Sequence, residues 1–407
     1  MRRMTSTTTP DTIDPGTLDW AHSIQARHAE YLTGKLARES GGEPIDPVYR
    51  DRIMKAVVEG GTDPMAAAAM FERPAVEKLT EFDEPEVRYS SAALVDMLTN
   101  TMVDATMDVG DRALLVWSLA TGQVNALCAA NSWNPTYYHV FVDPDLLVFC
   151  NSVGKLVAEC LARGGAIKGD KLDLMAVEAN ARSSEIQMRA ADLFCSSVLR
   201  GTPRASEPWL PSAEAYNYAQ QLALGLNLFP LAHELGHLHL RHVEAPNTRQ
   251  VAVDRLGDFL LYAHDDEFQA DIIGAIVTIE TMARLEIPGM FNCLAPYIFL
   301  KAVETLEACS EVFGLAGEMS ATHPSPTERA RKMRAVLAHY LGHRKATKLY
   351  EPALRAVDRI FHWFLFVSVM NLQERKAAGE KPRERLRLTV VEYDERMEAE
   401  WQARGGE

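Results

Sequence analysis

Apolar residues recur at helical spacing along most of this chain, and a strand-like run stands out at one place. Helical periodicity marks residues 17–38, 47–59 and 64–71, separated by the breakers Gly41-Gly42-Glu43-Pro44 and Gly60-Gly61-Thr62-Asp63-Pro64. Further helices are expected over 146–163, 172–199, 213–226, 265–285 and 324–340, and an amphipathic-to-apolar helix over 348–376. The strand signal is Tyr137-Tyr138-His139-Val140-Phe141-Val142, rich in aromatic and β-branched residues and bounded by Asn134-Pro135 and Asp143-Pro144. A second, shorter strand is expected at 386–391. The pattern predicts a mainly α protein with a small β-sheet, of the α+β class. Breakers divide it into an N-terminal helical region (1–86), a central region (87–345) with a helical insert at about 148–212, and a C-terminal helical region (346–407).

Composition narrows the function classes. With 47% apolar and 24% charged residues the chain is globular in character, and its 407 residues suffice for a large core. Lys and Arg number 42 against 56 Asp and Glu, a formal charge of −14, which repels phosphate backbones and argues against nucleic-acid binding. The six cysteines are scattered without a CxxC pair, as expected of reduced, mostly buried thiols in a cytoplasmic chain. No apolar stretch follows the opening Met1-Arg2-Arg3, so a secretory signal is not expected. The longest apolar run, 360–370, is interrupted by His362 and is roughly half of the ~20 residues a spanning helix needs. No integral membrane segment is expected.

The chemistry concentrates in Leu231-Ala232-His233-Glu234-Leu235-Gly236-His237. On a helix, positions i and i+4 lie about 40° apart and one turn along, so His233 and His237 can direct two imidazoles at one ion. Glu234 sits about 100° round from His233, where a general base must be to take a proton from metal-activated water. The flanking Leu228, Phe229, Leu231, Leu235 and Leu238 make this a mostly buried helix, in which imidazoles and carboxylates need partners. Pro230 is expected to start or kink it, with a start near Leu228 and Asn227 as cap.

A catalytic zinc takes three protein ligands and keeps a fourth position open. Glu267 and Asp271, again at i and i+4, supply the candidates: Glu267 for the metal and Asp271 to accept the spare N–H of a liganding histidine. His264 competes with Glu267 for the third position, and the acidic cluster 265–267 would be favourable at a helix N-terminus in any case. His239 and His242 lie about 140–160° round an unbroken helix from the ligand pair and should face elsewhere. His323, in Thr322-His323-Pro324-Ser325, precedes a helix that Thr322 or Ser325 would cap.

Taken together, His233-Glu-Leu-Gly-His237, Glu267-Phe-Gln-Ala-Asp271, and Thr322-His-Pro-Ser followed by Glu328-Arg329 resemble the Ste/HtpX/Oma-type zinc peptidases, which are gluzincins; Val124-Asn125-Ala126 and the strand after it fit the same order. The resemblance covers roughly residues 124–337. It implies a zincin-like core with one Zn2+ per chain and hydrolysis of a protein or peptide substrate. That substrate would be laid as an added strand along Tyr138, His139, Val140, Phe141 and Val142. It also implies that His323 or Arg329 stabilises the oxyanion or regulates access. The chain departs from the family in lacking visible membrane helices and in carrying about ninety residues between the strand and the His-Glu motif, far beyond the usual connection. Two other readings stay open: a repressor-cleaving regulatory metallopeptidase, and a non-catalytic, zinc-stabilised binding or chaperone module.

Overall fold

A computed structural model of the chain describes residues 13–32, 54–55, 58, 64–65, 79–110, 112–120, 124–130, 136–168, 171–243, 249–251, 259–261, 264–315, 324–342 and 347–382. The expected helices at 47–59 and 64–71 lie outside these residues except at positions 54, 55, 58, 64 and 65, which are helical; the expected strand at 386–391 lies outside them altogether.

Helices dominate, around one three-stranded sheet. Helix α1 (Pro15–Leu32) and α2 (Pro85–Asp104) precede β1 (Ala113–Ser118), β2 (Ala126–Ala130) and β3 (Tyr137–Val142). The strand order is β1-β3-β2, with β1 parallel and β2 antiparallel to β3. β3 therefore spends its backbone groups on both neighbours. This corrects the expectation that Tyr138, His139, Val140, Phe141 and Val142 form a substrate-binding edge: they form the central strand, and the edge that contacts Glu234 is β2. Aromatic and β-branched content marks a strand that is buried, and a central strand is the most buried of all.

Both faces of β3 are covered. Tyr138, Val140 and Val142 point into the main core, while Phe141 joins Leu115, Trp117 and Ala129 beneath Trp20, Ala21 and Ile24 of α1. His139 lies on that second face, its ring 4.3 Å from Trp20 and its Nδ1 accepting the Trp117 indole N–H at 3.0 Å. Burial pushes its pKa down to about 3, so it is a neutral core acceptor.

From β3 the chain enters α3 (Pro144–Ala162), capped by Asp143, whose carboxylate accepts from the Asp145 N–H. A small hairpin, β4 (Ile167–Lys168) and β5 (Lys171–Leu172), leads to α4 (Leu174–Ala181) and α5 (Ser184–Leu199). The single helix expected over 172–199 is thus two, divided where Ser183 takes an extended conformation. Residues 148–212 are largely helical, and α3 packs closely on α6 (Ala213–His239): a Cβ on Gly154 would stand 3.0 Å from the Ala223 backbone nitrogen.

Helix α6 runs unbroken for 27 residues with Pro230 inside it, so the helix expected over 213–226 and the one expected to start near Leu228 are one, and Asn227 is mid-helix and not a cap. Proline at 230 leaves the Leu226 carbonyl without its helical donor. The Cys150 thiol of α3 donates to that carbonyl at 3.3 Å, replacing the missing bond and letting the helix continue. After the short strands β6 (Arg249–Val251) and β7 (Phe259–Leu261) come α7 (His264–Arg284), α8 (Gly289–Glu311), α9 (Pro326–Gly342) and α10 (Thr347–Ala377). All six cysteines are buried free thiols. Among the described residues no helix is long and apolar enough to cross a membrane.

Candidate metal centre

The site forms where α6 crosses α7, and small residues set the depth of that crossing. A Cβ on Gly274 of α7 would come within 2.9 Å of the His233 nitrogen, and one on Gly236 of α6 within 3.1 Å of the Ala270 carbonyl oxygen. Two reciprocal glycines therefore let the backbones meet closely enough for one turn of each helix to share a pocket.

In that pocket His233, His237 and Glu267 converge, and all three are buried. The two Nε2 atoms are 3.1 Å apart; His233 Nε2 lies 3.4 Å from Glu267 Oε2, and His237 Nε2 lies 3.5 Å from Glu267 Oε1. Tetrahedral zinc with bonds of about 2.0–2.1 Å sets its ligand atoms roughly 3.3 Å apart. The two Glu267 distances are to different carboxylate oxygens; with one ligand atom from each residue, all three lie within 4.8 Å of one another, and two imidazoles with a carboxylate are donor types that such an ion takes. His264 begins α7, and its side chain lies outside the described residues, as does His323.

The second nitrogen of each imidazole is also engaged. His233 Nδ1 stands 3.0 Å from Asp271 Oδ1, and Asp271 is gripped through both oxygens by Arg329 of α9, at 2.8 Å from Nε and 2.7 Å from Nη2. Burial alone would lower the His233 pKa, but Asp271 and Glu267 override it and raise it to about 10. Burial would raise that of Asp271, but the Arg329 guanidinium holds it down at about 2. Asp271 thus stands where the sequence predicts, while the charged atoms of Arg329 are directed at Asp271.

His237 has a different neighbour. Its Nδ1 is 3.0 Å from Nδ1 of His242, which is buried, and burial pushes the His237 pKa down to about 3. This corrects the expectation that His242 faces away from the ligand pair. That expectation assumed an unbroken helix, whereas α6 ends at His239 in a Schellman turn: Arg241 is left-handed at φ 61°, and the His242 N–H donates to the His237 carbonyl at 2.9 Å. The turn folds His242 back beneath His237. No glycine marks it, so the sequence carries no signal for it. A left-handed arginine costs about 1–2 kcal/mol; its guanidinium is tethered to Asp108 at 3.0 Å and donates to the Tyr138 hydroxyl at 3.4 Å. His239, by contrast, is a satisfied surface histidine, with Nδ1 2.7 Å from the Asp108 carbonyl.

Glu234 is buried beside this cluster, and one of its oxygens accepts the Cys128 N–H of β2 at 2.8 Å. Cys128 pairs with Val140 on one side of β2, so the contact to Glu234 is made on the strand's outer side. The general-base candidate and the sheet edge are thereby adjacent. No protein-family model, curated protein or solved structure matches this chain, so a functional reading rests on the centre's own geometry.

Proposed function

We propose that the chain is a zinc-dependent endopeptidase of the gluzincin kind, with His233, His237 and Glu267 as metal ligands and Glu234 as general base. The observation that carries this reading is the convergence of His233, His237 and Glu267 from two helices, one ligand atom of each within 4.8 Å of the others, with a buried glutamate one position along from the first histidine. Zinc in such a site acidifies water and polarises the scissile carbonyl. The remaining work falls to the chain. Glu234, oriented by the Cys128 N–H, takes a proton from the attacking water on its carboxylate and returns it to the leaving amine. Asp271 and Arg329 hold the His233 ring in the tautomer that presents Nε2. A peptide substrate would extend the sheet at β2, beside Glu234.

The test pairs metal analysis with mapping of new N-termini in a complex protein mixture. Wild type and Glu234→Gln should both carry about one zinc per chain, and only wild type should generate new termini. Cleavage by the Glu234→Gln protein, or absence of bound metal from wild type, would overturn the assignment.

A further inference from the structure

The two histidines of the centre are supported in unlike ways: His233 by a carboxylate bound to arginine, His237 by another imidazole. We infer that His242 is a positioning residue that fixes the tautomer and ring orientation of His237, with Asp266 behind it. This rests on the metal-centre reading above and extends it to a residue outside the ligand set.

The proton assignment follows from the geometry. His242 Nε2 faces Asp266 Oδ1 at 3.6 Å, close enough for the carboxylate to favour a proton on Nε2 of a neutral ring. Nδ1 of His242 then carries a lone pair, directed at His237 Nδ1 at 3.0 Å. His237 must donate there, which places its own proton on Nδ1 and leaves Nε2 as the lone pair that meets His233 Nε2 and Glu267. With the proton on Nε2 of His242, the run from Asp266 through His242 to His237 is self-consistent and ends in the ligating form of His237. The rings of His237 and His242 lie 5.2 Å apart at 62°, an edge-on arrangement suited to an in-plane hydrogen bond.

The backbone is built to hold this contact. The left-handed Arg241, tethered to Asp108 and Tyr138, turns the chain so that His242 bonds to His237 twice, once through its N–H and once through its ring. Strain retained beside a site and held by outside tethers is the pattern expected of a functional turn.

The test reads metal affinity by competition with a chromophoric chelator, and the visible spectrum of the cobalt-substituted protein, in full-length wild type, His242→Leu, His242→Asn and Asp266→Asn. Circular dichroism checks the fold of each. Loss of a hydrogen-bond partner behind a ligand typically lowers affinity about 10–100-fold, and His242→Leu should fall in that range with a shifted cobalt band. His242→Asn, whose side-chain oxygen can accept where Nδ1 does, should recover most of the affinity, a result that a purely packing role would not give. Asp266→Asn should show a smaller loss. Wild-type affinity and spectrum in a folded His242→Leu protein would overturn the inference while leaving the metal centre standing, as would His242→Asn binding no better than His242→Leu. A wild-type protein that takes up neither zinc nor cobalt would overturn both.

Discussion

Gly274 lies so close to His233 that a Cβ in its place would stand 2.9 Å from the His233 amide nitrogen and 3.0 Å from its Cα. Both obstacles are backbone, so neither can rotate away. The position of Glu267, two turns earlier on the same helix, depends on this approach.

Gly274→Ala should therefore push α7 off α6 and separate Glu267 from the imidazoles. Overpacking of this kind costs about 1–3 kcal/mol in stability. Zinc affinity should fall with it, whereas Gly164→Ala, at a position with open space but left-handed backbone, should cost stability without affecting zinc. Thermal melts and chelator competition on the two variants would separate the effects, and equal zinc affinity in Gly274→Ala would refute the crossing argument.

Asp271→Asn would leave the Arg329 guanidinium buried without its bidentate partner. Breaking a buried ion pair from one side typically costs about 3–5 kcal/mol. The variant should also bind zinc about 10–100-fold more weakly, because the charged carboxylate behind His233 is replaced by a neutral, weaker acceptor. Denaturant melts in the presence and absence of zinc would measure both losses; a change in only one would show that the ion pair and the ligand are uncoupled.

His139 makes stability sensitive to acid. Its folded pKa, near 3, lies below the ordinary value of 6.5, so the folded state resists its protonation. The contribution is present above pH 6.5 and is lost as pH falls towards 3, amounting to at most about 3 kcal/mol near pH 4. His139→Gln keeps an acceptor for the Trp117 N–H and removes the titration. Its stability should decline less steeply than wild type between about pH 6 and pH 4 in urea melts; parallel curves would remove His139 as the cause.

Cys150 and Pro230 should be energetically coupled through the Leu226 carbonyl. Cys150→Ala removes the thiol donor and should cost about 1–2 kcal/mol, since the carbonyl is then buried without a partner. In a Pro230→Ala background the new backbone N–H serves that carbonyl, and the same substitution should cost less. A double-mutant cycle measures the difference, and additive losses would mean that the thiol does not replace the missing helical bond.

The candidate metal cluster of this chain was legible before its fold. A histidine pair at i and i+4, and the Glu267 and Asp271 pair after it, are local facts of helix periodicity, which is why their convergence could be expected from spacing. Helix boundaries set by composition and breakers also survived: α10 at Thr347–Ala377 and β3 at Tyr137–Val142 lie within a residue or two of expectation. Errors arose wherever one element answered another. Pro230 reads as a helix start because the sequence cannot show that Cys150, eighty residues earlier, stands ready to bond Leu226. β3 reads as an edge because the family the chain resembles places an edge strand ahead of the His-Glu helix, whereas its pairing with both β1 and β2 is a long-range outcome.

What the sequence determined by itself is the set of groups that could hold a metal ion, since residue type and helical spacing are properties of neighbouring residues. Only the tertiary structure decided how deep two helices cross, which strand forms the sheet edge beside Glu234, and that His242 turns back beneath His237. Those outcomes depend on contacts between distant segments, on glycines whose value lies in what packs against them, and on a left-handed arginine held from outside its own helix. Local periodicity carries no information about any of the three.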